Sequence, residues 1–174
     1  MMKQLKYFLE RASPWRMRGF TLVEVMIVVA VIGILAVVAV PFFLSFVRSE
    51  QARGAAREVA TILNQARQLA ITRNTSYRVE VDIAGNRLRF VRASDNTAWT
   101  GPGTDGQGYV RLANEARITS VSPAPPSFPT FSPLGNATPA ATITVQNTQG
   151  TSTLNVILSA SGRIRQCSPG PGCP

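Results

Sequence analysis

The strongest constraint in this sequence is an apolar run that carries no charged side chain from Val25 to Val47. At a rise of about 1.5 Å per residue, a helix of this length crosses the ~30 Å hydrocarbon core of a bilayer. A secretory signal peptide would have an apolar region of about 7–15 residues, ending at a small-x-small cleavage site. Here the run is longer and continues into a helical pattern. The sequence therefore predicts a membrane-spanning helix over residues 20–47.

The residues on either side of this run indicate its orientation. Residues 1–19 carry one acidic residue, Glu10, and the basic residues Lys3, Lys6, Arg11, Arg16 and Arg18. Because basic flanks stay on the cytoplasmic side, we expect the N-terminus to be cytoplasmic and the C-terminus to lie outside.

The two cysteines, Cys167 and Cys173, agree with this orientation. Their spacing does not match a zinc site, which needs four ligands. A short disulfide loop is the natural interpretation, and it implies an oxidising compartment. A mixed disulfide with a partner is the alternative.

One carboxylate, Glu24, lies just before the uncharged run. A charged side chain inside hydrocarbon costs roughly 2.5 to 3.5 kcal/mol even on forgiving insertion scales. Glu24 either stays wet among the headgroups or has a partner that offsets this cost. The segment Gly19-Phe20-Thr21-Leu22-Val23-Glu24, which follows a short basic leader, resembles the class III signal of type IV pilins and type II secretion pseudopilins.

This resemblance implies that a prepilin peptidase cuts after Gly19 and N-methylates Phe20, so that residues 1–19 are a cleaved cytoplasmic leader. Cleavage would create an ammonium group on Phe20. Glu24 of one subunit could pair with that ammonium on a neighbour, which would offset both desolvation costs and set the register of the assembly. Gly33 and Pro41 lie within the same helix, and proline removes a backbone hydrogen bond there. We therefore expect a kink or local melting at Pro41.

The remaining residues predict an α+β domain over 48–174. A stripe of small residues that recurs every three or four positions predicts that the helix continues over 48–73, with Asn74 as its stop. The predicted strands of the sheet domain, residues 76–167, are 77–83, 87–91, 141–146, 153–159 and 162–165, with a hairpin turn at 84–86. We predict a long loop over 94–127 with a short strand at 109–112, a turn-rich 129–135, and a cysteine-loop tail over 167–173.

A long N-terminal helix packed on an antiparallel β-sheet is the pilin-like arrangement. The second half of the chain resembles the GspH/FimT branch in three segments: residues 63–73 on the helix, Phe131-Ser132-Pro133-Leu134-Gly135, and Ser161-Gly162-Arg163-Ile164-Arg165.

Catalysis and metal binding have little support in the sequence. The chain has no histidine, which excludes a His-ligated metal and a His general base. The glycines between 101 and 108 lack the strand–helix context of a nucleotide-binding loop. Glu80 and Asp82 share one strand face, where a Ca²⁺ site is conceivable but a solvated face opposite arginines is favoured. We predict no enzymatic activity, no metal and no cofactor.

Charge is the remaining functional signal. The chain has a net charge of +9, and every basic residue after the leader is arginine, which suits bidentate contacts with anions. Arg163 and Arg165 alternate along the last predicted strand, and Arg87 and Arg89 do so on the hairpin. Two such pairs could form a stripe that binds phosphates.

The resemblance carries this further, because a Gly-Arg-x-Arg segment binds DNA for natural transformation in FimT-type minor pilins. Gly162-Arg163-Ile164-Arg165 matches it position for position. Gly-Arg also occurs at this place in the secretion pseudopilins, and the arginines could instead be solvated or paired with Glu80 and Asp82. DNA binding would be phosphate-led, independent of sequence and sensitive to salt.

These observations predict a minor type IV pilin, in or at the tip of a pilus, that binds DNA non-specifically for uptake. The alternative is a minor pseudopilin of a type II secretion system, and a third possibility is a structural pilus-initiation subunit without a ligand. The expected partners are other pilins, the prepilin peptidase, the inner membrane and DNA. The expected location is the bacterial inner membrane, with one pass and a periplasmic C-terminal domain, and the pilus or pseudopilus after assembly.

Overall fold

A computed structural model describes residues 19–112, 116–170 and 173. It begins with one long helix, α1, at Leu22–Thr72. Thr21 caps this helix, since its Oγ1 accepts a hydrogen bond from the Glu24 backbone N–H at 3.2 Å. The helix ends at Thr72, just before the predicted stop Asn74, which adopts a left-handed φ of 47°. The predicted leader lies outside the described residues except for Gly19.

The first half of α1 is long and apolar enough to cross a membrane by its length and composition. Its large apolar side chains, such as Ile34 and Phe42, are 69% and 72% exposed in the isolated chain. The helix is continuous through Pro41, and the kink expected from Gly33 and Pro41 stays a prediction. The chain divides into two compact units, Met1–Phe42 and Phe43–Pro174.

The second unit contains two antiparallel sheets rather than the single sheet that we expected. The strands are β1 (Tyr77–Asp82), β2 (Arg87–Arg92), β3 (Tyr109–Arg111), β4 (Arg117–Ser122), β5 (Thr130–Phe131), β6 (Ala137–Thr138), β7 (Ala141–Gln146), β8 (Thr153–Leu158) and β9 (Ile164–Cys167). The first sheet has the order β3-β2-β1-β5-β6 and the second has the order β4-β7-β8-β9.

The second half of α1 and both sheets share one hydrophobic core. The helix contributes its stripe of small side chains, whose members are buried: Ala52, Ala55, Ala56, Val59, Leu63, Ala66 and Ala70. The first sheet contributes aromatic side chains such as Tyr77 and Phe131, and the second contributes aliphatic ones such as Ile143 and Val156. Small residues on the helix let its backbone approach the larger side chains of the sheets, which gives close packing.

Residues 117–122 correct the expected loop over 94–127, because they form strand β4. Ile118 and Val121 are its buried residues, and they are three positions apart, which breaks the two-residue period of a strand. A register shift between Ile118 and Ser120 explains this spacing, since a β-bulge inserts one extra residue. The short strand expected at 109–112 is confirmed as β3.

Two further boundaries differ from the sequence prediction. The turn-rich segment 129–135 contains the two-residue strand β5, which is too short to show an alternating pattern. The last strand begins at Ile164, so Arg163 belongs to the turn before it.

Asn86 connects the two sheets. Its side-chain amide donates to the Ala116 carbonyl at 2.8 Å, and its Oδ1 accepts from the Ile118 backbone N–H at 2.9 Å. Asn86 has a left-handed φ of 52° in the β1–β2 turn, a conformation that asparagine tolerates better than most residues. The hairpin of the first sheet therefore fixes the start of β4, the edge strand of the second.

Candidate nucleic-acid interface and assembly segment

The exposed face of the first sheet carries a network of ion pairs. Glu80 lies between two arginines, with Arg78 Nη2 and Arg89 Nη2 each 2.7 Å from one of its carboxylate oxygens. Asp82 accepts from Arg87 Nε at 2.8 Å. Burial raises the pKa of Glu80, but the hydrogen bonds from Arg78 and Arg89 outweigh it and hold that pKa below its usual value. The Arg87 hydrogen bond likewise lowers the pKa of Asp82.

Arg87 and Arg89 also share a contact, the ring of Tyr109. The guanidinium carbons lie 3.9 Å and 4.8 Å from the ring centroid, within the range of a cation–π interaction. Both arginines are thus engaged by an acid and by an aromatic ring. Glu80 and Asp82 lie opposite arginines, as expected, but their carboxylates are half-buried and ion-paired rather than solvated.

Arg163 and Arg165 lie at the edge of the other sheet, so the two arginine pairs of the expected stripe do not share one sheet. They flank the start of β9, which is an edge strand of the second sheet, whereas Arg87 and Arg89 lie on β2 of the first. Both Arg163 and Arg165 are exposed. Within residues 19–112, 116–170 and 173, neither forms an ion pair with Glu80, Asp82 or any other acid.

A tight turn presents Arg163. Its backbone carbonyl accepts from the Ser159 N–H at 2.9 Å, and its own N–H donates to Ser159 Oγ at 3.1 Å. The Gly162 N–H closes the turn on the Ser159 carbonyl at 2.9 Å. Arg165 follows on β9, where it is paired in register with Ile157 of β8. The turn and the edge strand therefore hold both arginine backbones in fixed positions, with their side chains in solvent.

Arg67 of α1 supports this turn from the inside. Its Nε donates to the Gly135 carbonyl at 2.9 Å. Gly135 and Gly162 are both buried and both have left-handed φ values, 81° and 78°. A Cβ at Gly162 would overlap the Gly135 carbonyl oxygen and would lie 3.2 Å from Arg67 Nε.

The predicted disulfide between Cys167 and Cys173 is present, with the two Cα atoms 5.8 Å apart. Asn155 Nδ2 of β8 lies 3.7 Å from Cys173 Sγ, so the tail folds back beside β8 directly after the arginine pair.

At the other end of the described chain, Gly19, Phe20 and Glu24 are all exposed. The Glu24 backbone is used in the helix cap, and no hydrogen bond of its carboxylate is seen among the described residues. The carboxylate therefore faces outward from the helix, where a group on another molecule could meet it.

A groove of about 380 Å³ lies beside α1 and is not an anion site. The groove is lined by apolar side chains and by uncharged polar ones such as Asn64 and Gln68. Among the apolar side chains, the ring centroids of Phe90 and Trp99 are 5.7 Å apart. Across the described ranges, no cluster of acidic or cysteine side chains could hold a metal ion.

Comparisons with known proteins agree with this architecture. A family model described as type II transport protein GspH matches residues 55–162, and a model of the prokaryotic N-terminal methylation motif matches residues 16–40. The chain belongs to the GspH family. It is a type IV pilin-like protein of the GspH/FimT type, as its three segments suggested, and it has the role of a minor pilin or pseudopilin subunit.

Two relatives of this GspH-family chain match it over different lengths. The pilin-like protein PilA1 of Thermus thermophilus is 34% identical over 160 residues, which cover 85% of this chain and 97% of PilA1. The type IV major pilin protein PilA of Myxococcus xanthus is 56% identical over 53 residues, or 30% of this chain and 22% of that protein. These relatives are pilins rather than enzymes.

Solved structures share the fold. The minor pseudopilin EpsH from the type 2 secretion system of Vibrio cholerae matches with a TM-score of 0.52 and 19% identity, over 69% of this chain and 98% of EpsH. The type IV minor pilin FimU of Pseudomonas aeruginosa matches with a TM-score of 0.53 and 20% identity, over 71% of this chain and 96% of FimU. E. coli GspH matches with a TM-score of 0.55 and 14% identity, over 72% of this chain and 94% of that protein.

Two features of this GspH-family chain were missed by the sequence reasoning. Thr21 and Glu24 have the Thr-x-x-Glu spacing of a helix capping box, which the sequence shows. The contact of Arg67 with Gly135 spans 68 positions, and no local signal predicts it. The family match ends at Gly162, so the proposal for Arg163 and Arg165 depends on their own environment.

Proposed function

We propose that this protein is a minor type IV pilin whose outer unit binds DNA without sequence preference, through Arg163 and Arg165, for uptake. The observation that carries this proposal is the contrast between two sets of arginines. Those on the exposed face of the first sheet are occupied by Glu80 and Asp82, whereas Arg163 and Arg165 are exposed and form no ion pair with a described acid. Phosphates are the natural ligands of such free guanidinium groups.

The proposed mode of binding is electrostatic. A guanidinium group donates two parallel N–H bonds to a phosphate, and each contact releases counterions from the DNA. The logarithm of the affinity should therefore fall linearly with the logarithm of the salt concentration, with a slope of about −0.9 per phosphate contact. Two arginines would contribute about −1.8 to that slope.

The test is fluorescence anisotropy with labelled duplexes of unrelated sequence, using the full chain in a nonionic detergent. Arg163→Ala/Arg165→Ala should lower the affinity and make the slope less steep by about 1.8. The matched control is Arg57→Ala/Arg117→Ala, which removes the same charge from two other exposed arginines. Arg57 lies on α1, and Arg117 lies on β4, at the edge of the second sheet opposite β9. Equal losses in both variants, or no loss in the first, would refute the assignment.

We further propose that residues 1–19 are removed between Gly19 and Phe20, that Phe20 is N-methylated, and that residues 20–47 cross the inner membrane with residues 48–174 outside. The match to the methylation motif and the apolar first half of α1 support this proposal. Intact-mass measurement of the exported protein should give a chain that begins at Phe20 and carries one added methyl group. A full-length mass would contradict it.

Assembly with other pilins follows the same proposal. The outward carboxylate of Glu24 would pair with the methylated ammonium of Phe20 on a neighbouring subunit, which lowers the cost of placing each charge in an apolar filament interior. The exposed apolar side chains of Phe20–Val47 would be covered first by lipid and then by the helices of other subunits.

A minor pseudopilin of a type II secretion system is the second candidate, and the GspH match over residues 55–162 favours it. Deletion of the gene separates the two, because loss of DNA uptake with intact protein export indicates the pilus and the reverse result indicates the secretion system. Reduced filament number in the deletion strain, together with a purified protein that does not bind DNA, would instead indicate a structural initiation subunit without a ligand.

A further inference from the structure

Three groups from distant parts of the chain meet beneath the turn that presents Arg163. The Nε of Arg67 donates to the Gly135 carbonyl at 2.9 Å, and Gly162 packs against the same carbonyl, next to Arg67 Nε. Gly162 lies so close that any side chain there would overlap the Gly135 oxygen. The position of Gly162, and with it the start of the Arg163 backbone, is therefore set by where Arg67 holds Gly135.

Arg67 is used in an unusual way for a cation. It forms no ion pair with a described acid and is half-buried, and the bond seen for its side chain goes to a backbone carbonyl. The Nε of an arginine lies in a rigid planar group, so one hydrogen bond fixes both the distance and the direction of its acceptor. Lysine has the same charge but has no donor at this point of its side chain.

We propose that Arg67 is a positioning residue for DNA binding. It acts through the Gly135 carbonyl and Gly162 to hold Arg163 and Arg165 in the arrangement that contacts phosphates, and it makes no phosphate contact itself. This inference rests on the proposed function. It also explains the glycine of the Gly-Arg-x-Arg segment, because only glycine allows this turn to lie directly on the Gly135 carbonyl.

The decisive variant is Arg67→Lys, which keeps the charge and removes the Nε donor. We expect DNA affinity to fall about fivefold, which is the effect of one lost hydrogen bond, with the salt slope unchanged because the number of phosphate contacts is the same. The control is Arg57→Lys, an exposed arginine on the same helix, for which wild-type affinity is expected. Wild-type affinity in Arg67→Lys would overturn the proposal.

A double-mutant cycle separates positioning from direct contact. In the Arg163→Ala/Arg165→Ala background, Arg67→Lys should cause no further loss of affinity, because there is no arginine pair left to position. An additional loss of the same size would show that Arg67 acts on DNA independently, and the proposal would be wrong.

The turn itself gives a readout that does not depend on DNA. Amide hydrogen exchange at Gly162 and Arg163, measured by NMR on the full chain in detergent, should accelerate in Arg67→Lys and stay unchanged in Arg57→Lys. Unchanged exchange in Arg67→Lys would overturn the positioning role. A different result would separate the two proposals: DNA affinity unchanged in Arg163→Ala/Arg165→Ala, but exchange accelerated in Arg67→Lys. The proposed function would then be wrong, and so would the role of Arg67 in DNA binding. The structural contact of Arg67 with Gly135 would still be supported.

Discussion

Replacement of Gly162 by alanine tests the packing beneath the candidate interface. Gly162 has a φ of 78°, and a left-handed conformation costs a non-glycine residue about 1–2 kcal/mol. The added Cβ would also overlap the Gly135 oxygen, so the turn has to move away from that carbonyl. Disturbing the Arg67–Gly135 hydrogen bond, which involves a charged donor, costs about 1.5 kcal/mol more. We therefore expect Gly162→Ala to lower the free energy of unfolding by about 3 kcal/mol.

Gly103 provides the matched control for this change. It has a similar φ of 84°, but a Cβ at that position would meet no heavy atom within 4 Å. Gly103→Ala should therefore show only the conformational cost of about 1–2 kcal/mol. The difference between the two variants measures the contribution of the contact with Gly135.

Chemical denaturation of the full chain in nonionic detergent provides the measurement. The near-ultraviolet circular dichroism of Tyr77 and Phe131, both buried in the core, reports the unfolding of the outer unit. If Gly162→Ala and Gly103→Ala lose the same stability, the close packing of Gly162 on Gly135 contributes nothing, and the account of this turn is refuted.

Three other changes test separate parts of the structure. Glu24→Val should leave the protein inserted in the membrane but poorly incorporated into filaments, measured by its recovery in sheared filaments; normal recovery would remove its assembly role. Glu80→Gln should lower the free energy of unfolding by about 1 kcal/mol at pH 7, whereas Glu50→Gln, in an exposed pair, should have almost no effect. Folding lowers the pKa of Glu80, so the Glu80 carboxylate contributes fully to stability above its unfolded pKa of about 4.3. This contribution is lost as the pH falls through the pKa of Glu80 in the folded protein. The unfolding curves of the wild type and Glu80→Gln should therefore converge in acid. Asn86→Ala should cost about 2 kcal/mol, since two backbone groups at the start of β4 lose their partner, and a loss under 0.5 kcal/mol would contradict the role of Asn86 as a link between the sheets.

The sequence predicts those parts of the fold whose residues follow a regular period. The helix bounds, the β1–β2 hairpin and strands β7 and β8 agree with the structure to within two residues because their buried positions recur every two or every three to four residues. Strand β4 was missed because its bulge disturbs the period at Ile118 and Ser120. Strands β5 and β6 are two residues long, so they show no period at all.

Whether an arginine forms an ion pair depends on the register of its strand, and for Arg87 and Arg89 this register was predictable. A turn over residues 83–86 places Asp82 opposite Arg87 and Glu80 opposite Arg89, as the structure shows, so the sequence alone could have indicated that these arginines are paired. The sequence cannot show in the same way that Arg163 and Arg165 form no ion pair with an acid among the described residues. Arg165 lies on a strand, and Arg163 directly before it, at the edge of a sheet whose order depends on contacts between distant segments.

This division of the arginines limits how strongly the proposed interface can hold DNA. With two phosphate contacts, a rise in salt from 50 to 200 mM should weaken binding about twelvefold. A single subunit would then release DNA readily at moderate salt, so firm retention would need several subunits on one duplex or further cations from a partner. Since the acids of the first sheet already neutralise Arg87 and Arg89, the additional cations are not available from that face of the same subunit. The ion pairs that stabilise the first sheet therefore remove Arg87 and Arg89 from the cations that one copy offers to DNA.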